Sequence, residues 1–80
     1  MIVQKHVRLT YPAHLLNQPL IYNLIKRFDL VTNILKAQVM TDTGWLEVIV
    51  SGEADKIQQG LDWITSQGVQ VEMIENTEGK

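Results

Sequence analysis

The sequence contains no cysteine, and this absence removes several classes of chemistry at once. Disulfide bonds, iron–sulfur clusters, thiolate zinc sites and cysteine nucleophiles all require a thiol. The chain also lacks a basic excess, because its formal net charge is −2, and a binder of nucleic-acid phosphates needs that excess to release counterions. No stretch approaches the ~20 apolar residues of a membrane span, and the first residues lack the order of a signal peptide. We therefore expect a cytoplasmic protein without nucleic-acid binding or membrane insertion.

The residues that could carry catalysis are few and scattered. Histidine occurs only as His6 and His14, without the convergent carboxylates that a metal site would need. The acidic residues are spread over turns, helix starts and exposed positions, and neither Ser51 nor Ser66 has a histidine placed to activate it. No glycine-rich phosphate loop is present. We expect no enzyme, no catalytic residue, no metal and no cofactor.

The length of 80 residues allows one domain with one small core. We expect a domain over residues 1–75 and a disordered polar tail over residues 76–80. Because a core of this size is only marginally stable alone, an apolar face that self-associates would add stability. This argument favours a homodimer.

The alternation of apolar residues predicts four strands and two helices. Strands are expected over residues 3–10, 32–41, 45–51 and 69–74, with the first ending where Pro12 breaks the ladder. The first helix is expected to be capped by Asn17 or Gln18, to hold Pro19 in its first turn and to reach Phe28. The second begins near Glu53 and ends at Gly68, with Gly60 allowing a close approach to the sheet.

The order β-α-β-β-α-β predicts an α+β, ferredoxin-like fold: a four-stranded antiparallel sheet with both helices on one face. Shared parity within each strand predicts the helix-covered face. Its expected members are Val7, Leu9, Leu35, Ala37, Val39, Leu46, Val48, Val50, Val69 and Val71.

The other sheet face is expected to be open and unusually apolar for a surface. Its predicted members are His6, Arg8, Ile34, Lys36, Met40, Trp45, Glu47, Ile49, Glu72 and Ile74. We expect the sheet face or an edge strand to form the dimer contact, through Ile34, Met40, Trp45, Ile49 and Ile74. Asn33 has the parity of the core but a polar side chain, so a role in capping a turn and a role in contacting a ligand both stay open.

A family resemblance adds to this pattern. Five features together resemble the NIL domain family. They are the segment Asn33-Ile34-Leu35-Lys36-Ala37, the Gly44 turn, the strand that ends at Gly52, the helix with Ile57, Leu61 and Trp63, and the segment Gly68-Val69-Gln70-Val71-Glu72. The similarity runs from about Lys5 to Ile74. It implies an ACT-like ferredoxin fold, as found in the C-terminal regulatory domain of methionine-import ABC transporter ATPases, where pairs of domains bind methionine and inhibit uptake. The family also occurs fused to bacterial ferredoxin-type iron–sulfur domains.

By resemblance, Asn33 would be the polar contact to a bound amino acid, with Ile34 beside it. We expect a stand-alone domain of this kind with a ligand site at Asn33, Ile34, Leu35 and Met40, and with Arg8 or Lys36 offsetting the ligand carboxylate. The alternative is an interaction module without a small ligand, which docks through its open sheet face onto a transporter or a redox partner.

Overall fold

Four strands and two α-helices make up the computed structural model, which describes residues 2–16 and 18–74. The strands are β1 (Ile2–Pro12), β2 (Val31–Val39), β3 (Thr43–Glu53) and β4 (Gln70–Met73). The helices are α1 (Leu20–Phe28) and α2 (Ala54–Ser66), and a short 3-10 turn (Ala13–Leu15) follows β1. The expected tail, residues 76–80, lies outside the described residues.

The sheet has the strand order β2-β3-β1-β4, and every neighbouring pair is antiparallel. Residues from the sheet and from both helices form one buried core cluster. This arrangement confirms the predicted α+β, ferredoxin-like fold. It makes β2 and β4 the edge strands, so one side of each has no partner strand among residues 2–16 and 18–74.

The centre of the sheet is buried as its alternation predicts. Val7, Leu9, Val48 and Val50 are completely buried, and Val69 is nearly so. Leu46 and Val71 are partly buried and pack against this cluster. The two central strands and the helices therefore supply the core.

The predicted burial of β2 is wrong. Leu35 and Val39 are 47% and 74% exposed, and Ala37 is exposed as well. The helix α2 packs over β3 and β4, which leaves the outer strand β2 uncovered. Alternation could identify one face of β2, but it could not show whether a helix reaches that face.

The predicted parity of β2 is also wrong in its first half, because a β-bulge lies between Ile34 and Lys36. Ile34 is opposite Val48 and therefore lies on the helix-covered face, whereas Asn33 is opposite Ile49 on the open face. Beyond the bulge, Lys36 is opposite Glu47 on the open face, as predicted. One extra residue at Leu35 exchanges the two faces.

The prolines differ from expectation at two element ends. Pro12 belongs to β1 and is opposite Thr43, although we expected it to end the strand. Because β4 pairs only with residues 7–10, the missing N–H of Pro12 removes no bond on that side. Pro19 occupies the N-cap position of α1 without a side-chain cap, so Gln18 does not cap the helix. The other expected cap, Asn17, lies outside the described residues.

Two glycines determine how α2 is placed. Gly68 follows the helix with a φ of 108°, the left-handed conformation that glycine adopts without strain, as predicted. A Cβ atom on Gly60 would lie 2.8 Å from Leu24 Cδ1 and 3.1 Å from Leu30 Cδ1. The close approach at Gly60 is therefore to α1 and the residue that follows its end, and the expected approach to the sheet is wrong.

Candidate functional site

Most of the large apolar side chains that the sheet exposes lie on the edge strand β2 or directly after it. It has nine residues and, in the part of the chain that the structure describes, no partner on its outer side, whereas the other edge strand, β4, has only four residues. The large apolar side chains along β2 and just after it are Val31 at 68% exposure, Ile34 at 52%, Leu35 at 47%, Val39 at 74% and Met40 at 47%. A long apolar edge of this kind is a site for pairing with another strand.

A small pocket lies where the end of β2 meets the start of α1. We call it the α1 pocket, and its volume is about 220 Å³. Its lining is mainly apolar and consists of Tyr11, Leu16, residues 18–22, Gln38, Val39 and residues 44–46. Ligand sites are typically mainly apolar with a few polar groups, and a volume below about 300 Å³ suits a small ligand.

Tyr11 is an unusual member of the pocket wall. Its side chain is 6% exposed, and its buried hydroxyl oxygen has no hydrogen-bond partner among the described residues. Burial raises the pKa of Tyr11 to about 12, so the hydroxyl keeps its proton over the physiological range. Since most buried polar groups are hydrogen-bonded, this unpaired donor requires an explanation.

Charged side chains form a row across the open face. Glu72 on β4, Arg8 on β1, Glu47 on β3 and Lys36 on β2 occupy successive opposite positions, and their charges alternate in sign. Arg8 Nη2 donates to Glu47 Oε2 at 2.6 Å. The Arg8 guanidinium also lies 4.8 Å from the centre of the Trp45 ring. This row gives the open face a polar centre.

Glu47 is the more buried of the two acids in this row. Only 9% of the residue is exposed, and His6 Nε2 lies 3.4 Å from its second carboxylate oxygen. The hydrogen bond from Arg8 lowers the pKa of Glu47 against the opposing effect of burial, and the charges of Arg8 and Lys36 lower it further. The same hydrogen bond raises the pKa of Arg8. The pair is therefore ionised, and its geometry is fixed.

The open face is less apolar than the sequence predicts. Trp45, Ile49 and Ile74 lie on it, but each of them is half-buried. Ile49 and Ile74 border a shallow groove of about 260 Å³ with Gln4, Lys5, His6 and Met73. The exposed apolar surface is thus concentrated on β2, which favours the edge strand over the sheet face as the contact.

The four predicted ligand residues do not converge within one subunit. Asn33 lies on the open face, Ile34 on the opposite face and Leu35 at the bulge. Met40 follows the end of β2, where its N–H donates to the Thr43 carbonyl. At about 3.3 Å per residue, Asn33 and Met40 are roughly 23 Å apart along the strand. A single site containing all four would need residues from two subunits.

The sequence analysis missed the α1 pocket and the role of Tyr11 in its wall. Tyr11 continues the alternation of Val7 and Leu9, so its parity was a signal that its phenol ring faces the core. The neighbouring Pro12 obscures that signal, because a proline is typical of the end of a strand. The pocket itself depends on how α1 is placed over the sheet, which alternation does not determine.

Within residues 2–16 and 18–74 the structure has no group of three or more histidine, aspartate or glutamate residues placed to bind a metal ion. In the same part of the chain, neither α-helix has the length and hydropathy needed to cross a membrane.

The strand order and the paired helices define a ferredoxin-like domain whose free edge strand borders a small apolar pocket. The chain belongs to the NIL domain family, whose sequence model matches residues 5–73.

Several methionine import ATP-binding proteins are similar in sequence. The protein from Oenococcus oeni is 37% identical over 78 residues, which cover 92% of this chain and 22% of that protein. The one from Lacticaseibacillus paracasei is 35% identical over 72 residues, covering 85% of this chain and 21% of that protein. The chain thus spans about a fifth of the length of these relatives.

A solved structure has the same fold. It is the C-terminal domain of an ABC transporter ATP-binding protein from Enterococcus faecalis, with a TM-score of 0.78 and 21% sequence identity. The match covers 90% of this chain and 84% of that chain. It supports the fold that the strand order defines.

Proposed function

We propose that this NIL domain is a regulatory, ligand-sensing module that binds methionine or a similar amino acid at a homodimer interface built from β2. The observation that carries the proposal is the unpaired, apolar edge of β2 beside the α1 pocket. The relatives named as methionine import ATP-binding proteins support methionine as the first ligand to test. We assign no catalytic step to the domain.

Two copies of β2 pairing antiparallel around a two-fold axis would bring the predicted site residues together. An axis near the middle of the strand places the start of one β2 beside the end of the other. Ile34 of one subunit, on the helix-covered face, then lies near Val39 of its partner, which lines the α1 pocket on the same face. Asn33 lies on the open face of the same edge, near Gln38 of the partner.

The ligand chemistry follows from the two parts of this composite site. The α1 pocket has the apolar lining that an uncharged side chain needs. The helix α1 begins at the pocket without a side-chain cap; its Leu20 N–H donates to the Gln18 carbonyl, which leaves the next two N–H groups to meet a carboxylate. Ile34 of the partner subunit, which lies on the same face as the pocket, adds a further apolar side chain to its wall.

A titration with methionine, followed by calorimetry, tests the proposal. Ile34→Ala is expected to weaken binding by roughly one to two orders of magnitude, since an apolar side chain of this size contributes about 1.5–3 kcal/mol when it is buried. Gln58→Ala, at an exposed position on α2, is the control and is expected to bind like the wild type. Calorimetry that detects no heat and no stabilisation of the wild type by millimolar methionine would refute the sensing function.

A second candidate function rests on the same edge strand. β2 could pair with a strand of a different protein, which would make the domain an interaction module for a transporter or a redox partner. A wild type that stays monomeric at high micromolar concentration and binds no free amino acid would favour this candidate.

A further inference from the structure

We propose that Gly44 sets the size of the α1 pocket and thereby the length of the amino-acid side chain that the pocket accepts. A side chain at position 44 would take up part of the pocket and displace Leu16, which lies over the glycine. This inference rests on the proposed function, because it concerns the same pocket. It makes the pocket selective for an unbranched side chain as long as that of methionine over shorter apolar ones.

The backbone at position 44 does not require a glycine. Gly44 lies near the start of β3, where it pairs with Tyr11 on β1 and with Val39 on β2. Its φ is not positive, in contrast to that of Gly68. A glycine inside a strand weakens the strand, and it often marks a place where another group approaches closely. The reason for a glycine here is therefore the space above it.

Leu16 occupies that space. A Cβ atom on Gly44 would lie 2.8 Å from Leu16 Cδ2 and 3.3 Å from the carbonyl oxygen of Gln38. Carbon atoms in contact are about 3.5–4.0 Å apart, so the Leu16 side chain would have to move. It packs against the buried core on its inner side, and a closely packed core leaves no room there. The side chain can therefore give way only on its outer side, where it lines the α1 pocket.

Position 44 itself belongs to the sheet side of the pocket. Gly44 lines the pocket together with Tyr11 and Val39, its neighbours on the two adjacent strands. It shares the parity of Leu46 on β3, so a Cβ atom would point toward the helix-covered face, on which the pocket lies. In an apolar pocket one methylene group changes binding roughly 10- to 200-fold. The added methyl group and the displaced leucine would together be enough to change which ligand fits.

A second glycine of β3 provides a matched control. A Cβ atom on Gly52 would lie 2.6 Å from Leu30 Cδ2, which is the same kind of contact with a leucine side chain. Both glycines are buried, but neither Gly52 nor Leu30 lines the α1 pocket. Gly44→Ala and Gly52→Ala therefore make similar demands on the packing, whereas only Gly44→Ala changes the pocket.

The test measures the binding of methionine and norvaline by calorimetry. Norvaline has an unbranched hydrocarbon side chain that is shorter than that of methionine. Gly44→Ala is expected to weaken methionine binding roughly tenfold or more and norvaline binding less than about threefold. Gly52→Ala is expected to keep the wild-type preference for methionine, even where its melting temperature falls.

Two further variants show whether Leu16 carries the effect. In the double variant Gly44→Ala/Leu16→Ala the pocket regains more space than the new methyl group takes, so the preference for methionine over norvaline is expected to return. Leu16→Ala alone enlarges the pocket. It is expected to improve the binding of ethionine, which is longer by one methylene, relative to methionine by roughly fourfold or more. This variant tests the assignment even if Gly44→Ala does not fold.

Three results would overturn the assignment. Equal losses for methionine and norvaline in Gly44→Ala would show that position 44 does not select by length. The same change of preference in Gly52→Ala would show a general effect of packing, and an unchanged ratio of ethionine to methionine binding in Leu16→Ala would show that Leu16 does not limit the pocket. If the wild type binds neither methionine nor norvaline, the proposed function fails and this inference fails with it; if the wild type binds methionine and Gly44→Ala keeps its preference, only the role of Gly44 fails.

Discussion

Glu47, a single side chain on the open face, is expected to make the stability of the domain depend on pH in acid. Its pKa is lowered from 4.5 by the hydrogen bond from Arg8, so the folded protein takes up this proton less readily than the unfolded chain. The stabilising contribution is therefore complete above pH 4.5 and is lost as the pH falls through the folded pKa. Glu47→Gln is expected to make the melting temperature fall less steeply between pH 6 and pH 3.

Thermal unfolding followed by circular dichroism at several pH values measures this difference. The variant is expected to be less stable than the wild type at pH 6, with the two curves converging in acid. Parallel curves for the two proteins would contradict the role assigned to the Arg8–Glu47 pair.

At the scale of the elements, α1 and α2 pack closely only because position 60 has no side chain. Any Cβ there would come within 2.8 Å of Leu24 and 3.1 Å of Leu30. Gly60→Val is expected to destabilise the fold by about 1–3 kcal/mol, as overpacking of a core does. Gln59→Val, on the exposed side of the same helix, is the control and should change stability by less than about 1 kcal/mol. Urea denaturation that gives equal values for the two variants would contradict this packing.

The elements also show what the sequence could predict. Alternation located all four strands, and the two central ones are buried as expected because helices cover them. It failed at β2 for two physical reasons. The bulge at Leu35 adds one residue and exchanges the faces of Asn33 and Ile34, and no helix covers this edge. Alternation could not predict the α1 pocket, because the pocket forms between a loop, the start of a helix and a hairpin.

At the scale of the whole molecule, the exposed edge of β2 predicts self-association. Val39 is 74% exposed in the single subunit, so Val39→Lys should leave the subunit folded while placing a charge in the expected interface. We expect this variant to sediment as a monomer at concentrations where the wild type is a dimer. Met73→Lys changes an exposed residue of the opposite edge strand and is expected to remain dimeric. A dimer that survives Val39→Lys but not Met73→Lys would place the contact on β4.

The central claim, pairing of two β2 strands, can be tested most directly by disulfide cross-linking, because the native chain has no cysteine. Single cysteines at Lys36, Ala37 and Gln38 probe the middle and end of the strand, and one at Gln58 on α2 is the control. A disulfide needs Cα atoms within about 7 Å, so only residues near the two-fold axis can react. If two β2 strands pair, covalent dimers form rapidly at one or two of the β2 positions and do not form at Gln58. Equally slow cross-linking at all four positions would contradict the pairing of two β2 strands.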